Sequence, residues 1–464
     1  MVTQSLVFSP ELTPADELVL RNLERDIRRR PASSSTIDAS TGSPAKSVNE
    51  RPLTLGQSKT CNSTSSQYSN GISEPSDSRD ARDVATLARS NDPTSSTFEP
   101  TVFSSWDLKD LESRVPAFIY RNLLLPYIAW AQRVARFKTD VVMVTHLIMY
   151  FTTSLPSAMI LFYRFSYIHG IIHVIMQGWY IGAYTLLRHQ HIHQRGVLAK
   201  RSWMQIFDQA FPYVLDPLMG HTWNSYFYHH VKHHHVEGNG PDDLSSTVRY
   251  QRDNIWHFLH YVGRFYLLIW LDLPLYFVRK GKPTTALRAA FWELSNYIAI
   301  IILLETNFKA SLFTLLIPLL AMRIGLMVGN WGQHAFVDAD EPDSDYRSSI
   351  TLIDVPSNRY CYNDGYHTSH HLNPLRHWRD HPVHFLQNKD TYGREAALVF
   401  HDIDYLMITV KLMLHDYEHL ARCLVPIGDQ ISMTMDQRVA MLKRHTRKFT
   451  EEEIEEKFSI AKAK

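Results

Sequence analysis

Long apolar runs constrain the fold of this chain more than any other feature. Val141–Tyr163 and Tyr167–Leu187 are each long enough to cross a hydrocarbon layer of about 30 Å, because a helix rises about 1.5 Å per residue. Ala286–Leu304 and Ser311–Val328 form a second pair with a short connection. Phe265–Val278 contains an acid and a proline, and it fits an interfacial or re-entrant helix better than a span. The sequence therefore predicts an all-α integral membrane protein with about four transmembrane helices in two hairpins.

Basic residues indicate the orientation. An even number of crossings puts the N-terminal segment, residues 188–285 and residues 329–464 on one side of the membrane. Four basic residues follow the second run, whereas the hairpin connections carry little positive charge, so the positive-inside rule makes that side cytosolic. Glu293 and Arg323 lie inside candidate spans. Charged residues are rare inside membrane spans. These two therefore leave open the alternative of a soluble helical protein with an unusually apolar core.

The N-terminal part of the chain differs in composition from the rest. From about Ala32 to Thr101 it is rich in Ser, Thr, Asn, Asp, Pro and Gly and poor in aromatic residues. Such a segment cannot bury enough apolar surface to fold. The expected domains are a mostly disordered cytosolic tail over residues 1–105, a membrane domain over residues 106–390 and C-terminal cytosolic amphipathic helices over residues 391–464.

Capping signals predict a helix near each end of the chain. Thr13 is a suitable N-cap, and Pro14 follows it at the first helical position, where its missing N–H does no harm. We expect this helix to be solvated or to lie on a membrane surface. Thr450 and Glu453 have the spacing of a capping box, which predicts the start of a C-terminal helix.

Charge and cysteine content exclude several classes of protein. The net charge is +1, from 48 basic and 47 acidic residues, so no overall field attracts nucleic acid. The cysteines, Cys61, Cys361 and Cys423, are far apart and form neither a disulfide framework nor a thiolate metal site. The 25 histidines are the unusual count, and many of them occur in a few short clusters.

Four clusters, "RHQHIHQR", "YHHVKHHH", "GNWGQHAFVD" and "NDGYHTSHHLNP", lie at or just beyond the ends of apolar runs on the predicted cytosolic side. Positions i, i+3 and i+4 share one face of an α-helix, which selects the candidate ligands. These candidates are His189, His193, His230, His233, His234, Asn330, His334, His367, His370 and His371. The second cluster has more histidines than one face can hold, so His229 and His235 remain possible substitutes.

This set has more donors than one metal ion can use, since a zinc site takes about four ligands. Two transition metals would use them all, and imidazole suits iron, zinc and copper. The chain has no Glu-x-x-His motif of the soluble di-iron bundles, so an all-imidazole site is predicted. Asp242 and Asp243 follow the second cluster, where they either orient imidazoles or simply form a turn.

The clusters resemble the three histidine boxes of the membrane fatty acid desaturase and hydroxylase superfamily. "HQHIH", "HVKHH" and "HTSHH" occur in the family's order, and Asn330 with His334 resembles its additional ligand pair. The resemblance implies two Fe²⁺ ions, O2 as co-substrate, a fatty acyl lipid or acyl-CoA substrate and the endoplasmic reticulum membrane. Because no HPGG-type haem motif occurs, electrons are expected from a separate donor such as cytochrome b5 with its reductase.

Desaturation is the expected reaction, and other activities stay open. Within the superfamily, a lipid hydroxylase or a secondary-metabolite chain oxygenase fits the same residues. A membrane zinc hydrolase or a seven-span receptor should show about seven spans and about three histidine ligands, which the sequence does not. A metal transporter should carry its histidines within spans or in an unstructured loop, whereas these histidines have helical spacing at span ends.

Overall fold

The computed structural model describes residues 6, 8, 12–29, 78–104, 106–353 and 356–459, and this part of the chain is mostly helical. Before the histidine clusters lie α1 (Pro14–Arg29), α2 (Ser78–Asn91), β1 (Thr101–Phe103), β2 (Trp106–Asp107), α3 (Leu108–Arg114) and α4 (Leu125–Val134), with Ala117–Ile119 and a π-helical turn, Tyr120–Leu124, leading into α4. The central helices are α5 (Val141–Tyr163), α6 (Tyr167–Gln194), α7 (Ser202–Leu218), a π-helix (Phe227–His234) continued by His235–Glu237, α8 (Ile255–Arg279), α9 (Pro283–Thr306) and α10 (Phe308–Gln333).

The remaining elements form a cap. They are β3 (Ile350–Ile353), α11 (Pro356–Tyr360), α12 (His367–Leu372), a 3-10 turn (Trp378–Asp380), α13 (His381–Gln387), α14 (Lys389–Arg394), β4 (Leu398–His401), α15 (Tyr405–Met413), α16 (Tyr417–Cys423), a second 3-10 turn (Gly428–Ser432), α17 (Met435–His445) and α18 (Glu451–Ser459). β3 and β4 pair in parallel and are fully buried, while β1 and β2 form a short antiparallel ladder. The predicted capping box is present, with backbone N–H groups of Thr450 and Glu453 each donating to the other's side chain at 2.9 and 3.2 Å.

Four of the described helices are long and apolar enough to cross a membrane, namely α5, α8, α9 and α10. The sequence expectation named three of them. It also named Tyr167–Leu187, which lies in α6, but His169, His173 and Gln177 lower the hydropathy of that helix. It treated Phe265–Val278 as interfacial. In the structure this run belongs to a 25-residue helix that begins ten residues earlier, and the added apolar residues bring it among the candidate spans.

The surface of α9 distinguishes a membrane protein from a soluble one. Its exposed residues include large apolar side chains, whereas Glu293 and Asn296 are buried. A helix of a soluble protein shows the opposite arrangement, since water favours polar side chains outside. The large exposed apolar residues of α9 are Leu287, Phe291, Leu294, Ile298, Ile301, Ile302 and Leu303. The chain is therefore an all-α membrane protein, and the soluble alternative does not hold.

The N-terminal helices belong to the folded cap. Thr13 caps α1, with the Asp16 backbone N–H donating to Thr13 Oγ1 at 3.1 Å. The Asp16 carboxylate accepts hydrogen bonds from the Tyr366 hydroxyl at 2.7 Å and from the Asn358 amide at 3.2 Å. Leu20 of α1 lies in the same buried apolar cluster as Tyr366. The surface position expected for α1 is therefore not observed.

Part of the predicted disordered tail is also helical. α2 lies inside the segment from Ala32 to Thr101, and its Val84 and Leu87 are buried in the apolar cluster that contains Phe385. Composition alone missed these two side chains because their partners come from distant parts of the chain. Residues 32–77 of that tail lie outside the described residues.

Replacing Leu20 with Ala tests whether α1 is part of the core. Leu20 is fully buried, so we expect Leu20→Ala to lower the free energy of unfolding by about 2–5 kcal/mol. Thermal unfolding of the purified protein in mild detergent measures this. Arg21→Ala, at an exposed position of the same helix, is the control and should change stability by less than about 1 kcal/mol. Equal effects of the two changes would contradict the packing of α1.

Candidate metal centre

Nine imidazoles converge in two groups under the cap. Within each group, one ligand atom from every residue lies within 4.8 Å of all the others. The five-histidine group consists of His189, His193, His230, His235 and His370. The four-histidine group consists of His234, His334, His367 and His371. All four sequence clusters thus contribute imidazoles to these groups.

Local helical geometry explains most of this convergence. His189 and His193 are one α-helical turn apart near the end of α6, so both imidazoles lie on one face. His367 and His371 have the same spacing in α12, and their Nε2 atoms are 3.0 Å apart. His334 directly follows α10 as its C-terminal cap residue.

The second cluster differs from the expectation. The expectation assumed an α-helix, in which His230, His233 and His234 share a face. The structure has a π-helix over Phe227–His234, and its i to i+5 hydrogen bonding brings residues five apart onto one face. His230 and His235 therefore point the same way, with their Nε2 atoms 3.0 Å apart. His235 takes the place expected for His233.

His233 and His229 lie outside both groups. The Nε2 atom of His233 accepts a hydrogen bond from the Leu244 backbone N–H at 3.0 Å, so that it holds the following loop. The ring of His229 packs edge-on against Phe265, at 5.1 Å between centroids. Its Nε2 atom is buried and has no hydrogen-bond partner among the described residues.

The spacing of the nitrogens fits ligands of a common metal ion. His370 Nε2 lies 2.9 Å from His189 Nε2 and 2.8 Å from His235 Nε2. An imidazole nitrogen binds a metal such as zinc at about 2.0–2.1 Å, which places neighbouring ligands roughly 3 Å apart. In addition, the buried Nε2 atom of His193 has no hydrogen-bond partner in the described part of the chain. Both observations fit a donor set that could hold two ions.

Burial keeps two of these imidazoles, His193 and His334, neutral. Desolvation, followed by the nearby His234, lowers the pKa of His193 to about 4. Desolvation likewise lowers the pKa of His334 to about 3. A neutral imidazole offers a lone pair to a metal, whereas a protonated one does not. Each group therefore has a side chain in the ligand form at physiological pH.

Groups outside the two clusters fix the ring orientations. His334 Nδ1 lies 2.7 Å from the carbonyl oxygen of Ser348, which directs Nε2 towards the group. His234 Nδ1 lies 2.7 Å from a carboxylate oxygen of Asp243. Metal-bound histidines commonly have such partners. Asp242, by contrast, is exposed and pairs with Lys280 at 2.8 Å, so it takes no part in the centre.

Asn330 lies beside the centre. Its amide nitrogen donates to the Ser245 carbonyl oxygen at 2.9 Å and to the Tyr261 hydroxyl at 2.7 Å. These bonds use the amide nitrogen of Asn330. Its amide oxygen is therefore the atom that could bind a metal or accept a hydrogen bond from a water molecule. No sequence pattern indicates Ser348 or Tyr261, because the roles of both depend on distant segments meeting.

A cavity of about 270 Å³ reaches both groups of histidines. Its histidine walls are His189 and His230 from the first group, His234 and His367 from the second, and His229, which belongs to neither. The other walls are mostly apolar and include Ile181, Leu186, Phe265, Met322, Leu326 and Met327. An apolar chain can therefore lie against both groups at once.

Glutamine substitutions distinguish the two registers of the second cluster. We expect His235→Gln to weaken metal retention by at least about tenfold, because it removes a converging nitrogen. His233→Gln should retain the metal, since glutamine can still accept from the Leu244 N–H. Metal per polypeptide, measured after graded exposure to a chelator, reports the difference. The opposite ranking would favour the α-helical register.

Adjacent aspartates provide a second test. We expect Asp243→Asn to lower metal affinity by roughly 10–100-fold, because the His234 ring loses its charged partner. Asp242→Asn is the matched control, and it should leave affinity unchanged because Asp242 lies at the surface. Metal titration of the stripped protein measures both. If the two variants lose the same affinity, Asp243 does not orient a ligand.

The comparisons with known proteins agree with this geometry. The family described as "Fatty acid desaturase" matches residues 170–402, about half of the chain, and this range contains both groups of histidines. Neither curated proteins nor solved structures gave a match. The matched range runs from α6 through the cap to β4, so it covers every element that supplies an imidazole. The chain belongs to the fatty acid desaturase family, and it is an oxidoreductase of the membrane.

Proposed function

We propose that this protein is an oxygen-dependent fatty acyl desaturase. It introduces a double bond into an acyl-lipid or acyl-CoA chain and uses two Fe²⁺ ions. The observation that carries the proposal is the meeting of two all-imidazole groups at one apolar cavity between apolar helices. An apolar chain in that cavity would lie beside both metals, as removal of hydrogen from neighbouring carbons requires.

The ligands follow from the two groups. The five-histidine group would hold one iron, and the four-histidine group would hold the other, with Asn330 as a weak ligand or through water. Removing hydrogen from an unactivated methylene is beyond any amino-acid side chain, so bound iron supplies the activation of O2. Imidazole is a suitable ligand for iron. Neutral nitrogens also bind iron while its charge changes.

The residues of the chain bind, orient and exclude water. The apolar walls hold the acyl chain, and Asp243 and Ser348 fix the rings of His234 and His334. One O2, two electrons and two protons convert a –CH2–CH2– unit into –CH=CH– and two water molecules. The electrons come from a separate donor such as cytochrome b5 with its reductase. The proposed location is the endoplasmic reticulum membrane, with both termini and the cap cytosolic.

Hydroxylation is the second candidate. The same donor set and cavity serve a hydroxylase, and the position of the chain relative to the metals decides between the two products. Transfer of one oxygen atom to a single carbon gives an alcohol, whereas loss of a second hydrogen gives an alkene. A zinc hydrolase is less favoured, since a catalytic zinc uses three protein ligands and nine imidazoles converge here.

Metal content and lipid products test this function together. We expect close to two irons per wild-type polypeptide in mild detergent and new double bonds in the lipids of an expressing host. His370→Ala should lose most of the iron and all of the product, because His370 Nε2 lies within 2.9 Å of two other ligand atoms. His260→Ala, at an exposed position, is the control. New hydroxyl groups would instead establish the hydroxylase, and zinc without iron would exclude both.

A further inference from the structure

A second cavity adjoins the cavity at the histidines. Its volume is about 60 Å³, and it shares Tyr226, His229, Phe265 and Leu326 with the first cavity as common walls. Its remaining apolar walls come mainly from α8 and include Ile269 and Leu273. The two cavities are therefore neighbours, with these four side chains between them.

Charged residues line the far wall of this second cavity. Arg323 of α10 forms an ion pair with Glu293 of α9, and both belong to candidate membrane helices. Thr222 Oγ1 donates to the Glu293 carboxylate at 2.6 Å, and the Tyr297 hydroxyl donates to it as well. Arg323 also donates to Tyr297 and to the Tyr266 carbonyl oxygen. The cavity wall thus carries hydrogen-bonding groups and no net charge.

Packing between α9 and α10 does not require this pair. A buried ion pair costs desolvation energy, and apolar side chains of similar volume often hold helices equally well or better. Ionisable residues within membrane helices commonly face internal cavities and mark the path of a substrate. The position of Glu293 and Arg323 on the wall of a cavity agrees with that rule.

A second, independent observation comes from His229. Its Nε2 atom is buried and has no hydrogen-bond partner among the described residues. The same side chain lines both cavities, at their common wall. A buried polar atom without a partner costs free energy, so a ligand atom that bonds to it would bind favourably.

We propose that the second cavity binds an uncharged hydrogen-bonding group of the substrate, such as a hydroxyl or an amide. The proposal rests on the proposed function, because it assigns a substrate class to the same enzyme. An uncharged group can bond to His229 and to the polar wall without disturbing the neutral pair. A carboxylate would find no free positive charge, because Arg323 is already paired with Glu293, and a bare alkyl end would leave His229 unpartnered.

Binding of four chains of equal length tests this specificity. The probes are an alkane, a primary alcohol, a primary amide and a carboxylate, each competing with a radiolabelled primary alcohol on purified protein that holds both metals. The wild type should bind the alcohol and the amide about tenfold more tightly than the alkane or the carboxylate, the effect of one good hydrogen bond. Equal binding of all four chains would overturn the proposal.

Three variants test which side chains cause the preference for the alcohol and the amide. His229→Phe should reduce the preference for the alcohol and the amide to about twofold. Glu293→Gln leaves Arg323 without its partner and should shift the preference towards the carboxylate. Thr222→Val removes one hydroxyl from the wall and serves if Glu293→Gln does not fold, with an expected loss of about half the preference. Unchanged preferences in folded variants would contradict the assignment.

The proposed function is read out separately in the same samples. Iron content, and oxidation of the bound chain once O2 and an electron donor are added, test the di-iron desaturase, whereas the ranking of the four probes tests the second cavity. If the protein oxidises the chains but binds all four probes equally, only the assignment of the second cavity is wrong. If it ranks them but neither holds iron nor oxidises them, the desaturase proposal fails while the binding site stands.

Discussion

Nine imidazoles have to be held in two buried groups, each only a few ångströms across, and much of the cap is built around that requirement. Four separate segments supply them, so each segment needs its own fixed register. The buried pair of β3 and β4 fixes the cap, and the Asp16 carboxylate of α1 holds the hydroxyl of Tyr366, the residue before His367. The N-terminal helix therefore stabilises a ligand segment from a distance of several hundred residues in sequence.

The sequence predicts those parts of the site that follow regular geometry. His189 with His193, and His367 with His371, lie one α-helical turn apart, and that spacing alone places them together. The second cluster is different, because its backbone is π-helical and the repeat that selects His233 does not apply there. Five histidines in seven residues satisfy either register. Only the backbone conformation decides that His235 joins His230 and that His233 holds the loop.

Tertiary partners explain the other differences from the expectation. α2 has only a few apolar side chains, too few to fold alone, but Val84 and Leu87 bury against residues that the cap supplies. Glu293 and Arg323 weaken the hydropathy of two helices when each is counted singly. In the structure they neutralise each other, and the cost of burying either charge in a membrane helix falls accordingly. A hydropathy rule that scores one helix at a time does not detect an ion pair between two helices.

Asp243 gives a physical reason to expect positive charge at the centre. Its carboxylate is buried and accepts hydrogen bonds from the Ser245 N–H and hydroxyl and from the Asn239 N–H, besides facing His234. Within the described residues, no Lys or Arg side chain pairs with it. A buried carboxylate is costly unless a positive charge lies nearby. A metal cation bound to His234 would supply that charge through the ring, since it strengthens the hydrogen bond from Nδ1 to the carboxylate. The buried carboxylate and the histidine groups thus account for each other once a cation lies between the imidazoles.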